Sequence, residues 1–347
     1  MQFTDRQQRI IGIITAEKQT SISRIKELLR ENISQVTLNR DLAKLVSDRA
    51  LVKSGKARAV RYSISDRYRL FSPIDQETYF EKDPDKRAAS AKFNFNIFSV
   101  LHDVPLFTPA ETAQLEVLKL EYQENVEGLS STLLKKEMER LTIELSWRSS
   151  QIEGNTYSLL ETERLFTEKQ TARNRTKEET VMLLNHKDAL EFSVQIRPRE
   201  EDLTLRFIEE IHSMLIKDLG VSRNIRSRAV GITGTAYRPL DNEFQIKEYL
   251  EKMCDLINSK QSGFEKALLA VLLISYIQPF EDGNKRTARI IGNALLMNDD
   301  ACPLSYRSVE SIEYKKAMLL FYEQNNLSAF KRLFIEQNEF GVKNYFR

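Results

Sequence analysis

From Pro109 almost to its end the chain repeats one pattern, apolar residues three and four apart, in segments such as "AETAQLEVLKLEYQENV", "TLLKKEMERLTIELSWRSSQIEG", "KEETVMLLNHKDALEFSVQ" and "GFEKALLAVLLISYI". That period belongs to α-helices with one buried face, and so long a succession leaves little room for a sheet. One stretch there, "RAVGITGTAYRPL", alternates Val230 and Ile232 ahead of a Gly-Thr turn and reads as a β-hairpin. The expectation is a mainly α fold, with a large helical domain over residues 109–347 that carries one small β element.

The N-terminal end differs in charge. Residues 1–65 hold 13 Lys and Arg against 6 Asp and Glu, a net of about +7, while the remainder is net acidic by about 5. Its pattern gives three short helices: one over residues 5–16 with Ile10, Ile11, Ile13 and Ile14 on one side, "SISRIKELLREN" starting at Ser21 or Ser23, and "SQVTLNRDLAKLVSDR". "ALVKSGKARAVRYSIS" follows as two strands joined at Ser54-Gly55-Lys56. Three helices and a basic hairpin over residues 1–66 resemble a winged helix-turn-helix. That resemblance places the third helix in the major groove of duplex DNA, with Ser34, Gln35, Thr37 and Arg40 nearest the base edges and Lys53, Lys56, Arg58 and Arg61 on phosphates. The other reading of the same module is a protein-contact domain with a solvated charged face. Binding to a palindromic site would require a homodimer.

Residues 67–108 carry prolines, charges and aromatics without sustained periodicity and read as a linker that packs at Phe71, Tyr79, Phe93 and Phe95. Only Cys254 and Cys302 occur, and His102, His186 and His212 are scattered, so neither a disulfide framework nor a Cys/His zinc site is indicated. No window approaches the ~18 uninterrupted apolar residues of a membrane span. A cytoplasmic protein without membrane contact is expected.

The densest chemistry lies in "SYIQPFEDGNKRTARIIGNALLM", residues 275–297. A helix N-terminus offers unpaired N–H groups and the positive dipole end, and a preceding Gly lets the backbone bend into a nest. Here Gly283-Asn284 precedes Lys285, Arg286 and Arg289, and two guanidiniums beside a nest suit a polyphosphate. Asp282 either caps these cations with Glu281 or holds a magnesium ion shared with phosphate oxygens.

"QPFEDGNKRTAR" resembles the signature of the Fic family, whose usual form is His-Pro-Phe-x-(Asp/Glu)-Gly-Asn-(Gly/Lys)-Arg-x-x-Arg. The resemblance implies a helical core that binds ATP and Mg²⁺ and transfers AMP to a hydroxyl on a target protein. It implies roles for Asp282 on the metal, for Gly283, Asn284 and Lys285 at the phosphates, and for Arg286 and Arg289 on the phosphate tail. "SSQIEGN" resembles the family's inhibitory motif, with Ser149, Glu153 and Gly154 in place on a helix near residues 142–154. In relatives that glutamate pairs with the second motif arginine, here Arg289, and fills the space of the γ-phosphate. "TGTAYRP" resembles the family flap, with Thr235, Ala236 and Tyr237 aligning a target segment by strand addition, or else it is a plain structural hairpin.

Two departures stand out. The first signature residue is Gln278 where the family has a histidine, and a carboxamide can orient a hydroxyl but cannot take its proton. Either slower transfer persists, or the domain has become an ATP-sensing transcriptional regulator without catalysis. Lys285 replaces the commoner glycine, as in relatives resembling death-on-curing toxins, whereas Arg289 completes the AMP-transferring version. His212, in "FIEEIHSMLIKDL", has the spacing of a packed core histidine rather than a displaced base.

Overall fold

The computed structural model describes residues 3–31, 33–87, 89–195 and 202–347. It divides into two compact units, Met1–Ile74 with Gln324–Ser328, and Asp75–Glu323 with Ala329–Arg347.

In the first unit α1 (Asp5–Glu17), β1 (Gln19–Thr20), α2 (Ile22–Leu29), α3 (Gln35–Ser47), β2 (Leu51–Ser54), β3 (Arg61–Ile64) and α4 (Asp66–Phe71) follow in order. Each of the first three helices starts where a hydroxyl can accept from its first turn: Thr4 for α1, Ser21 for α2 and Ser34 for α3. The strands form one antiparallel sheet in the order β1-β3-β2, with Thr20 opposite Tyr62 and Lys53 opposite Tyr62 on the other side. The sequence pattern gave no hint of β1, because two residues are too few for an alternation to register. The β2–β3 connection is longer than the Ser54-Gly55-Lys56 turn expected, running through a 3₁₀ turn at Ala57–Ala59. Ile10, Ile14, Ile25, Leu38, Leu42 and Leu45 close the core. Buried Asp41 on α3 accepts from Arg6 Nε at 2.6 Å and Gln7 Nε2 at 3.3 Å, tying α3 to α1.

The second unit contains α5 (Gln76–Phe80), α6 (Ile97–Asp103), α7 (Pro109–Glu127), α8 (Ser131–Ile152), α9 (Leu159–Glu168), α10 (Lys177–Gln195), α11 (Leu205–Leu215), α12 (Glu243–Ser259), α13 (Gly263–Ile277), α14 (Asn284–Asn298), α15 (Ser311–Gln324) and α16 (Ser328–Asn344). The stretch read as a linker is divided between the units: residues 67–74 fall in the first and 75–108 in the second. Phe93, Ile97, Phe98 and Leu101 are buried there, so the second part of that stretch packs as core, although Phe95 stays half exposed.

From Ala267 to Ile277 α13 is buried on every side, which makes it the axis of this unit. α12 and α14 pack against it, and α8, α10 and α11 pack on α14. Gly292 permits the α13–α14 approach, since a Cβ there would stand 2.6 Å from Val271 Cγ2.

The expected hairpin over 228–240 is not formed. Its residues make a turn at Thr233–Gly234 and an isolated parallel bridge between Arg238 and Lys92. The competing bonds explain this: Arg238 N–H donates to Ala91 O at 3.0 Å, and Tyr237 is drawn into the core.

Candidate functional site

The site is built where α13 stops. Gln278 takes the left-handed conformation at φ 51° and ψ 60°, with its N–H on Ile274 O at 3.0 Å, and Pro279 cannot continue the helix. Gly283 then turns at φ 80° into α14. A side chain at 283 would be strained by that φ and would also approach Ile216 Cγ2 to 3.2 Å. Asn284 closes the loop. Its Oδ1 accepts from Phe280 N–H at 2.8 Å, and its Nδ2 donates to Phe280 O at 2.8 Å and to Gln278 Oε1 at 3.1 Å.

The Gln278 carboxamide is engaged at both ends, because its Nε2 also donates to Ser275 O at 2.7 Å. Beneath the loop, the fully buried Phe280 ring stacks on His212 with centroids 3.6 Å apart and planes 3° off parallel. His212 Nε2 meets Asp282 O at 3.0 Å, which fits a neutral ring donating from Nε2. His212 is thus a support of the motif loop and not a base in the cleft.

Burial pushes His212 down to about 4 and holds His186, which also faces the charges of Arg289 and Arg286, well below the ordinary imidazole value. The folded state therefore binds fewer protons than the unfolded chain between about pH 6.5 and 4. Stability is full above that window and falls as the pH drops through it, by on the order of 3 kcal/mol for His212 alone. Urea unfolding between pH 7 and 4.5 measures this. His212→Phe, which keeps the stacked ring, should flatten the slope and leave His186's share; an unchanged slope would refute the assignment.

Beside the loop lies a cleft of about 560 Å³. Its walls are the end of α8 (Ile152, Glu153, Gly154), Gly231–Gly234, the motif loop with Asp282 and Arg286, and the α15 face that carries Ile312, Lys315 and Leu319. The volume falls in the range of small-molecule sites. Arg286 is 1% exposed, its Nη2 donates to Asp282 Oδ2 at 3.1 Å, and its Nη1 is buried without a hydrogen-bond partner among the described residues. Such an orphaned cationic donor at a cleft wall is the kind of group an oxyanion satisfies.

Arg289 is fully buried. Its Nε donates to Ser149 Oγ at 2.9 Å, and its Nη2 to Ser149 O at 2.9 Å and Glu153 Oε1 at 3.0 Å. The second Glu153 oxygen accepts from Lys285 Nζ at 3.1 Å. Glu153 is therefore held by two cations. Burial alone would raise its pKa, but the charges of Arg289 and Lys285 outweigh that and keep it below the ordinary carboxylate range. Glu153 ends α8, and the chain leaves it through Gly154 at φ 101°.

Asp282 is 63% exposed on its side chain and borders the cleft. No cluster of three or more His, Cys, Asp or Glu is present among the described residues. One exposed carboxylate next to an anion site fits a magnesium ion that takes its other ligands from phosphate oxygens and water.

The sequence-based expectation for the flap is displaced. Thr235, Ala236 and Tyr237 do not line the cleft; residues 231–234 do. Tyr237 OH donates to Tyr276 O at 2.9 Å, and its ring stacks on Tyr276. The α15 face was not anticipated, and its signal was weak: Ile312, an exposed isoleucine at a helix start, with Lys315 and Leu319 three and seven residues on.

In the first unit Gln35, Arg40, Lys53, Lys56 and Arg61 are exposed. Ser34 is committed to capping, accepting from Thr37 N–H at 3.1 Å with its Oγ 2.9 Å from Thr37 Oγ1. Val36, between Gln35 and Thr37, is 77% exposed. The side chain of Arg58 lies outside the described residues.

A bent, glycine-led helix start and a buried arginine thus meet on one wall of a cleft in a helical unit, an arrangement suited to an anion. Residues 202–296 match the family model for the Fic/DOC family. The chain is 24% identical over 221 residues to the protein adenylyltransferase fic-1 of Caenorhabditis elegans, a stretch that is 62% of this chain and 43% of that protein. It is 26% identical over 186 residues to the protein adenylyltransferase Fic of Nematostella vectensis, 52% of this chain and again 43% of the relative. The chain thus spans less than half the length of these relatives. Among solved structures, a Fic-domain signalling protein from Bacteroides thetaiotaomicron superposes with a TM-score of 0.55 at 21% identity, over 66% of this chain and 96% of that one. Fic-1 of C. elegans, residues 134–508, superposes with a TM-score of 0.56 at 21% identity, over 68% and 72%. These likenesses establish the helical fold. No described helix is long and apolar enough to cross a membrane.

Proposed function

We propose that the helical unit is a Fic-type protein adenylyltransferase, transferring AMP from ATP to a hydroxyl of a target protein, held back by Glu153 and slowed by Gln278. The observation that carries this reading is the Glu153 carboxylate clamped between Arg289 and Lys285 at the edge of a cleft floored by the Gly283-Asn284 turn. A carboxylate in that place occupies cations suited to a terminal phosphate. With Glu153 withdrawn, the helix start, Arg286 and Arg289 would bind the phosphate tail. A magnesium ion on Asp282 would neutralise phosphate charge there.

In the transfer itself the target oxygen attacks the α-phosphorus, the bond to the β-phosphate oxygen breaks, and pyrophosphate leaves. The hydroxyl proton must go elsewhere. Gln278 has no basic atom to receive it, and its engagement with Ser275 O and Asn284 favours a second reading, an ATP-sensing regulator without catalysis. Incubation with ATP labelled on the α-phosphorus separates the two, in the wild type and in Glu153→Gly. Labelled protein supports transfer; nucleotide binding without label supports sensing; and the absence of both label and binding in both proteins would remove the nucleotide reading.

The N-terminal unit is proposed as a winged-helix module that binds duplex DNA in the cytoplasm, a homodimer being needed if the site is a palindrome. Its support is the exposed α3 start with Gln35 and Arg40, the exposed Lys53, Lys56 and Arg61 on the β2–β3 hairpin, and the net charge of about +7 over residues 1–65. Phosphate contacts release counterions, so affinity should fall about 10³- to 10⁵-fold between 50 and 200 mM salt if six or more phosphates are engaged. Lys53→Glu with Lys56→Glu should weaken binding to all sequences alike. A gel-shift series without salt-sensitive binding would remove the DNA claim.

A further inference from the structure

Arg226 is a buried cation, 2% exposed, whose charge is favoured by the Asp241 carboxylate without a direct ion pair among the described residues. Its guanidinium is satisfied by main-chain carbonyls instead: Nε donates to Gln278 O at 2.6 Å, Nη1 to Arg228 O at 2.6 Å, and Nη2 to Leu240 O and, at 3.4 Å, to Ile277 O. Its own backbone N–H donates to Pro279 O at 3.0 Å.

Two sets of acceptors are involved. Ile277 and Gln278 end α13, where the last carbonyls of a helix lack intrahelical donors and carry the negative end of the dipole. Pro279 offers no N–H to help them. Arg228 and Leu240 are the two ends of the loop whose residues 231–234 form the facing wall of the cleft. The tip of that loop has a separate anchor, Arg87, whose Nη1 donates to Gly234 O at 2.9 Å and to the buried Glu323 carboxylate at 3.0 Å.

We propose that Arg226 is the positioning residue of the cleft, fixing the left-handed turn at Gln278 and both ends of loop 228–240 as one rigid frame. Its planar fork is what allows one side chain to bind carbonyls from both segments at once. A lysine, a point charge on a flexible stem, cannot reproduce the fork that ties the two sets together, so neither segment is fixed against the other. The consequence for AMP transfer rests on the proposed function above, whereas the consequence for loop geometry does not.

The test is hydrogen–deuterium exchange on the full chain carrying Arg226→Lys, with Arg226→Met as the stronger variant and Arg87→Ala as the comparison. In both Arg226 variants, amides of 228–240 and 276–283 should exchange faster together, on the order of tenfold, while α8 and α16 keep wild-type rates. Arg87→Ala should speed the loop alone. Acceleration spread evenly over the unit, or absent from either segment in Arg226→Lys, would overturn the proposal. If Arg226→Met does not fold, Arg226→Lys decides. In a Gln278→His, Glu153→Gly background, Arg226→Lys should lower the rate of label transfer about tenfold or more at saturating ATP, with a smaller change in ATP affinity. Joint loosening of both segments without transfer in any background would leave the frame standing and refute the enzymatic reading alone.

Discussion

Gln278→His, placed in a Glu153→Gly background, is expected to raise transfer of α-phosphorus label from ATP to protein by about 10²- to 10⁴-fold over Glu153→Gly alone, the usual contribution of a general base. Position 278 suits the change. It is the residue that ends α13, at φ 51°, and histidine is among the side chains that enter this region most readily. The backbone there is held by groups other than its own side chain: the Ile274 carbonyl on its N–H and Arg226 on its carbonyl oxygen. An imidazole titrating near neutrality would supply the acceptor that the carboxamide lacks. Equal, substantial label in both forms would mean that another group already takes the proton. No label in either, with ATP bound, would favour the sensing role.

Glu153→Gly should have the largest effect on stability. Removing one partner of a buried ion pair leaves the other uncompensated, at a typical cost of about 3–5 kcal/mol, and Arg289 is fully buried. Ser149 still accepts from Arg289 Nε, which places the expected loss at the lower end of that range. ATP should recover most of it, since a ligand at 100 times its Kd stabilises by about 2.7 kcal/mol. Thermal unfolding of the variant should therefore rise steeply with ATP, while the wild type responds weakly. Solution pH is not a route to the same release. The Glu153 carboxyl sits below its ordinary value, so its contribution is present above that value and is lost only as the pH falls through the lowered one. Across the neutral range Glu153 stays ionised and clamped.

The parts of this site that are local in sequence were legible before the structure. The apolar run of α13, its break at Gln278-Pro279, the Gly283-Asn284 turn and the cationic start of α14 all lie within one stretch, where period and turn chemistry suffice. What depends on distant segments was not. The stretch 228–240 satisfies every local rule for a hairpin, yet its Arg238 N–H bonds Ala91, and Tyr237 goes to the core. In sequence Lys285 has the place of a phosphate ligand, and its bond to Glu153, 132 residues away, has no sequence signal. Arg226 is the extreme case: nothing local in the sequence signals that it bonds the carbonyls of two separate segments. Val36 shows the converse, an apolar residue on a regular helix that faces solvent.

The most direct measurement is a calorimetric titration of the wild type and of Glu153→Gly with ATP and Mg²⁺. A charge-assisted hydrogen bond is worth about 1.5–3 kcal/mol, so freeing Arg289 and Lys285 from the carboxylate should tighten binding by at least about tenfold. One ATP per chain with that gain is the expected result. Equal affinities in the two proteins, or no binding in Glu153→Gly, would contradict a nucleotide site under the control of Glu153.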